Sequence, residues 1–61
     1  MSLKEQITAV RDSGKTNMLD SRTVQHIANE MNFYELVIFI EEHPDRYSKF
    51  IFTGDEKLLT D

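Results

Sequence analysis

Apolar residues recur along this chain at helical spacing. Leu3, Ile7 and Val10 fall at i, i+4 and i+7 and draw one stripe along Leu3 to Asp12. Gly14 follows where a helix C-cap glycine is expected, because only glycine enters the left-handed conformation without a Cβ clash. A connector, Lys15 to Asp20, carries two apolar plugs, Met18 and Leu19. Asp20 or Ser21 then offers an N-cap oxygen to a second helix. The buried face of that helix is Val24, Ile27, Ala28 and Met31.

The next segment carries two competing local codes. Val37, Ile38, Phe39 and Ile40 are contiguous and β-favouring. Against them stand Asn32 as a capping side chain, Glu35 reaching back three residues later, and a Met31–Leu36 staple around the cap. Phe33, Leu36, Val37 and Ile40 also keep helical spacing, so a helix over Phe33 to Glu42 is the preferred reading. Being apolar nearly all round, it is central, or buried in an oligomer. Pro44 suits the first position of a last helix, and Asp45 in its first turn complements the helix dipole. Tyr47, Phe50 and Ile51 form its inner face, and Thr53-Gly54 ends it. The expected architecture is all-α: three to four short helices in one domain over 1–61, with 55–61 a charged tail. Leu58 and Leu59 are unusual in a free tail and suggest packing on a neighbouring subunit.

Length sharpens that last point. A chain of 61 residues buries only about 60% of the surface its unfolded form exposes, and folds this small usually carry a staple. There is no cysteine for a disulfide or thiolate site. Two histidines alone do not close a structural zinc site. Homo-oligomerisation is the remaining common staple. All six aromatics lie between Phe33 and Phe52, more than so short a core readily hides. One or two are therefore expected to face a partner or stack on a planar ligand, with Tyr34 and Tyr47 the best candidates because a buried hydroxyl wants a partner. Phe39 is expected within the oligomer interface.

Charge and hydropathy narrow the function classes. Eleven acids against seven bases give a net charge of −4, which argues against a nucleic-acid polymer as ligand. A small anion needs only two or three local donors. No apolar run approaches the roughly 20 residues of a membrane span, and MSLKEQ lacks the apolar core of a secretory signal. A cytoplasmic location is expected.

Few residue patterns carry chemistry. Gly14-Lys15-Thr16 echoes the end of a P-loop, but Ala9 stands where the motif needs its first glycine, and a helix precedes it in place of a strand. Lys15, Thr16 and Asn17 remain donors for a single phosphate. Glu41, Glu42, His43 and Asp45 match no cation-binding loop and read as a solvated helix junction, although two acids near a helix C-terminus oppose its dipole. No nucleophile turn of the G-x-S-x-G kind occurs. The stretch FYELVIFIEEH, placed where a helix-turn-helix would put its recognition helix, has three glutamates and no Lys or Arg, the reverse of what major-groove reading requires. Arg22, Gln25, His26 and Asn29 lie on the polar flank of the second helix, either as plain surface or as a recognition face.

The runs TNMLD, FYELVIFIEEH and FIFTGD resemble a family of very short proteins from phages and prophages of Gram-positive bacteria, a likeness spanning Ile7 to Gly54. The resemblance implies a counter-defence role, in which an oligomer sequesters a nucleotide second messenger made by the host's immune enzyme. The expected function is therefore non-enzymatic binding of a cyclic ADP-ribose-like or cyclic nucleotide signal, without cofactor, metal or catalytic residues. Lys15, Asn17, Arg22, His26, Tyr34 and Arg46 are the candidate ligand donors. The rival expectation is a protein–protein inhibitor or adaptor that acts on a host protein through an acidic, aromatic surface.

Overall fold

The computed structural model describes residues 2–59, so Met1 and the last two residues of the expected tail, Thr60 and Asp61, lie outside the described residues. Four helices follow one another, α1 (Leu3–Ser13), α2 (Ser21–Glu30), α3 (Tyr34–Glu42) and α4 (Pro44–Thr53), and a 3-10 turn (Glu56–Leu59) closes the chain. No strand occurs among the described residues. The radius of gyration is 10.1 Å, against roughly 10.5 Å expected for a compact chain of this length. The single chain therefore closes on itself.

Each helix start has a local cause. Ser2 caps α1 by accepting from the Glu5 backbone N–H, while Ser2 N–H donates to the Glu5 carboxylate at 2.9 Å. That reciprocal pair is a capping box, and its hydrogen bonds hold the Glu5 carboxyl below its usual pKa. Asp20 caps α2 through Thr23, whose hydroxyl and backbone N–H both donate to it. Pro44 opens α4. Gly14 and Gly54 end α1 and α4 in the left-handed conformation.

The start of α3 departs from the sequence expectation. Asn32 is not its N-cap and makes no capping box with Glu35; the N-cap is Phe33, which supplies no side-chain acceptor. Asn32 sits at φ 65, just past the C-cap of α2. Its N–H donates to the Asn29 carbonyl, and the Phe33 N–H donates to the Ala28 carbonyl at 2.8 Å. Those two bonds define a Schellman termination with asparagine in the left-handed position. Asparagine serves both roles, at an N-cap and at a left-handed C-terminal position, so local sequence fits either. The residue numbering of the Met31–Leu36 staple shifts out of place with the cap.

The cap that α3 lacks locally arrives from α1. Gln6 is the one buried polar residue among those described, and its Oε1 accepts from the Leu36 backbone N–H at 3.2 Å. Leu36 is fully buried and occupies the first turn, where the N–H has no intrahelical acceptor. Thirty residues of sequence separate the two.

The core draws on every helix: Leu3, Ile7 and Val10, then Val24, Ile27 and Ala28, then Leu36, Phe39 and Ile40, then Tyr47 and Phe50. Met31, Phe33 and Ile51 pack against it in part. Residues expected at a partner or a neighbouring subunit find packing within the chain itself. Tyr47 is fully buried, and its hydroxyl donates to the Met18 carbonyl at 2.7 Å; burial pushes its pKa up to about 12. Phe39 lies in the chain's own core. Leu58 and Leu59 fold back in the 3-10 turn and pack against that same core.

Three measurements check this account. Replacing Gln6 by leucine leaves the buried Leu36 N–H without its acceptor and should cost about 1–3 kcal/mol, a loss visible in a chemical melt. At position 32, Asn32→Gly should stay within about 0.5 kcal/mol of the natural protein, whereas Asn32→Thr should lose about 1–2 kcal/mol because a β-branched residue resists the left-handed region. An N-cap would tolerate threonine, so equal stability of the two variants would restore the capping reading. For Tyr47, the neutral phenol contributes fully below the unfolded value near 10.0 and its contribution is lost as pH rises through about 12. The stability gap between the natural protein and Tyr47→Phe should accordingly narrow between those two pH values.

Candidate functional site

Helix α1 turns Leu3, Ile7 and Val10 inward, which places Lys4, Thr8 and Arg11 on the adjoining face. Lys4 and Arg11 are seven residues apart, roughly 10 Å along the helix axis. Between them and α4 lies a cleft of about 260 Å³. Its apolar lining is Ile7, Met18, Phe50 and Ile51, with Lys4, Thr8 and Arg11 on the α1 side. Gly54, held at φ 72, also lines it. The cleft therefore combines an apolar floor with two cations and a hydroxyl, the mix by which small-molecule sites fix orientation.

Both cations have only weak partners. Lys4 Nζ is 3.0 Å from Glu56 Oε1, and Arg11 Nε is 3.6 Å from Asp12 Oδ1, with more than half of every side chain exposed to solvent. Exposed pairs of this kind contribute about 0–1 kcal/mol. An incoming anion can therefore recruit either cation at little cost.

The six expected donors do not converge on this cleft. Lys15 is exposed just past the Gly14 cap. Asn17 is engaged in its own turn, its Oδ1 accepting from Leu19 N–H at 2.9 Å and its carbonyl accepting from Asp20 N–H. Arg22 and His26 stand one turn apart on the exposed side of α2, and His26 Nε2 reaches Glu30 Oε1 at 2.8 Å. Tyr34 is 56% exposed, and its hydroxyl donates to Asn32 Oδ1 at 2.9 Å. Arg46 is half-buried on α4. None of the six lines the cleft.

Sequence reasoning passed over Lys4 and Arg11, which the structure makes the prominent pair. The signal was present: two cations at i and i+7 on the border of the Leu3–Ile7–Val10 stripe. Only the later fold of Met18 and α4 onto that border turns it into a cleft.

At the other junction, the four titratable groups Glu41, Glu42, His43 and Asp45 do not gather. Glu41 accepts from Gln25 Nε2 at 3.1 Å, which gives this acid near a helix C-terminus a specific partner on α2. The same Gln25 amide donates to the Val37 carbonyl at 3.0 Å. The His43 ring lies tilted against Phe39, centroids 5.8 Å apart. No group of three or more His, Cys, Asp or Glu side chains among the described residues is placed to hold a metal ion, and no helix among them is long and apolar enough to cross a membrane.

No curated protein and no solved structure matches the chain. A family model described as "Domain of unknown function (DUF5049)" matches residues 1–55. That span takes in all four helices, both flanks of the Lys4–Arg11 cleft and Gly54 at its end, and the chain thus belongs to the DUF5049 family.

Proposed function

We propose that this protein is a non-enzymatic binder that sequesters a small phosphorylated ligand of the nucleotide type. The α1–α4 cleft is the observation that carries the reading. A planar base has an apolar floor to lie on, in Ile7, Met18, Phe50 and Ile51. A phosphate or diphosphate has Lys4 and Arg11 within one helix face, at a separation that a ligand larger than a single phosphate spans. Arginine suits phosphate by its bidentate fork, lysine as a movable point charge. The net charge of −4 disfavours a polyanion but leaves a compact anion free to use two local cations.

The resemblance to short phage and prophage proteins adds a context. Within an infected bacterial cytoplasm, a binder without chemistry acts by stoichiometry, holding a host immune signal such as a cyclic ADP-ribose derivative or a cyclic dinucleotide. Assembly of several copies would multiply the clefts. In this reading the ligand donors are Lys4 and Arg11. Of the residues expected from sequence, Lys15 and Arg46 remain secondary donors, while His26 is paired with Glu30 and Asn17 is fixed in its own turn through its side-chain oxygen.

Thermal shift and calorimetry with cyclic ADP-ribose, cyclic dinucleotides and ADP test the proposal directly. A ligand at about 100 times its dissociation constant should add about 2.7 kcal/mol of stability. Arg11→Ala and Lys4→Ala should each weaken that ligand at least tenfold while the melt without ligand stays close to that of the natural protein, since both side chains are exposed. His26→Ala should change nothing. If no phosphorylated small molecule shifts the melt, or if Arg11→Ala binds as the natural protein does, the cleft is not the site.

A further inference from the structure

The outward face of α3 is a second surface, on different residues from the cleft. Ile38 is 56% exposed at its centre, with Tyr34 equally exposed one turn before it. Glu35 and Glu42 lie at i−3 and i+4 of Ile38, and Glu41 at i+3. On a helix these spacings place the acids around the isoleucine on one side. Beside them is a hollow of about 200 Å³, lined by Leu3, Ile38, Phe39 and Leu59 with Glu35, Glu42 and His43 at its edge. No lysine or arginine lines this hollow, and α3 contains none.

An exposed isoleucine over an apolar hollow is ordinary by itself. Its acidic surround is what selects an occupant. A second copy docked face to face would set glutamates against glutamates, and like charges brought together at an interface cost several kcal/mol. Glu41 is already engaged by Gln25, whereas the ion pairs among the described residues, Lys4–Glu56, Arg11–Asp12 and His26–Glu30, involve neither Glu35 nor Glu42. The complement is a segment with one or two apolar side chains for the hollow and Lys or Arg one turn to either side.

We propose that this face docks a basic amphipathic helix of another protein, with an aliphatic side chain in the Leu3–Ile38–Leu59 hollow and cations on Glu35 and Glu42. Helix-in-groove recognition works through such i, i+3, i+4 and i+7 anchors. The acids set orientation and speed of encounter, and the hollow sets the residence time. This surface shares no lining residue with the cleft, although Lys4 of the cleft also lines an adjoining hollow with Leu3, Glu35 and Leu59.

The test is fluorescence anisotropy with a labelled model helix of leucine and lysine at amphipathic spacing, and the same peptide with glutamate for lysine. The lysine peptide should bind, weakening at least tenfold between 50 and 500 mM salt as a charge-steered contact does, and the glutamate peptide should not. Ile38→Ser and Glu42→Lys should each lower affinity at least fivefold, with circular dichroism confirming the fold, because both positions are exposed. Asp12→Lys makes the same change in net charge on α1 and should leave affinity within twofold. Equal weakening by Asp12→Lys and Glu42→Lys would reduce the contact to undirected attraction and overturn the proposal. So would tight binding of the glutamate peptide, or a dimer of the natural protein that Ile38→Ser dissolves, which would give the face to a second copy.

Discussion

The hydrogen bond from the Leu36 N–H to the Gln6 side chain is the contact on which the arrangement of the helices turns. Helix α3 is the most apolar element and must sit centrally, yet a helix start carries N–H groups that cannot be buried bare. Phe33 precedes it and offers no acceptor. Gln6 solves the problem from across the core, one turn into α1, on the same face as Leu3 and Ile7. Once α1 lies over the start of α3, its Leu3–Ile7–Val10 stripe covers the core and its Lys4–Arg11 border faces α4. Tyr47 does the equivalent at the opposite side, pinning the Met18 carbonyl of the α1–α2 connector to α4. Every buried side-chain nitrogen and oxygen among the described residues has such a partner.

These long-range polar contacts let so short a chain fill its interior without cysteine. The expectation of too many aromatics rested on counting side chains against chain length. Burial is unequal, however. Tyr47, Phe39 and Phe50 take the core, while Tyr34 and Phe52 are left outside, Phe52 at 75% exposure. The leucine pair in the tail serves the same economy by folding back as a 3-10 turn. The case for a partner therefore shifts from the core aromatics to the surface ones.

Most of the fold was legible in the sequence, and the misreading is instructive. The stripes of α1, α2 and α4, the cap at Asp20, the proline start and both terminal glycines are local codes, and the structure follows each of them. At Asn32 two local codes share one residue: asparagine, followed three positions later by glutamate, satisfies a capping-box pattern, and asparagine after a helix also satisfies a left-handed termination. The structure takes the termination: the Asn32 N–H closes α2 on the Asn29 carbonyl, α3 starts one residue later at Phe33, and the N–H of its third residue, Leu36, is met by Gln6. The site was less legible for a related reason. Donors can be chosen from sequence by type, and Lys15, Asn17, Arg22, His26, Tyr34 and Arg46 are reasonable types. Which donors share a concave surface depends on how helices pack, and α1 and α4 face each other across the cleft from residues some forty positions apart.

Charge segregation connects the two proposed surfaces. The chain is acidic as a whole, but its acids are not evenly spread: α3 holds three glutamates and no base, whereas α1 presents Lys4 and Arg11 toward the cleft. At physiological salt, interactions between exposed charges fade over about 8 Å, so each surface acts through its own near neighbours more than through the net charge. An anion approaching the cleft meets two cations held only by exposed acidic neighbours, Glu56 and Asp12. A basic helix approaching α3 meets acids around one exposed isoleucine. If both proposed surfaces bind, ligand selection in a chain of this size rests on the local composition of each face, while the core holds those faces apart.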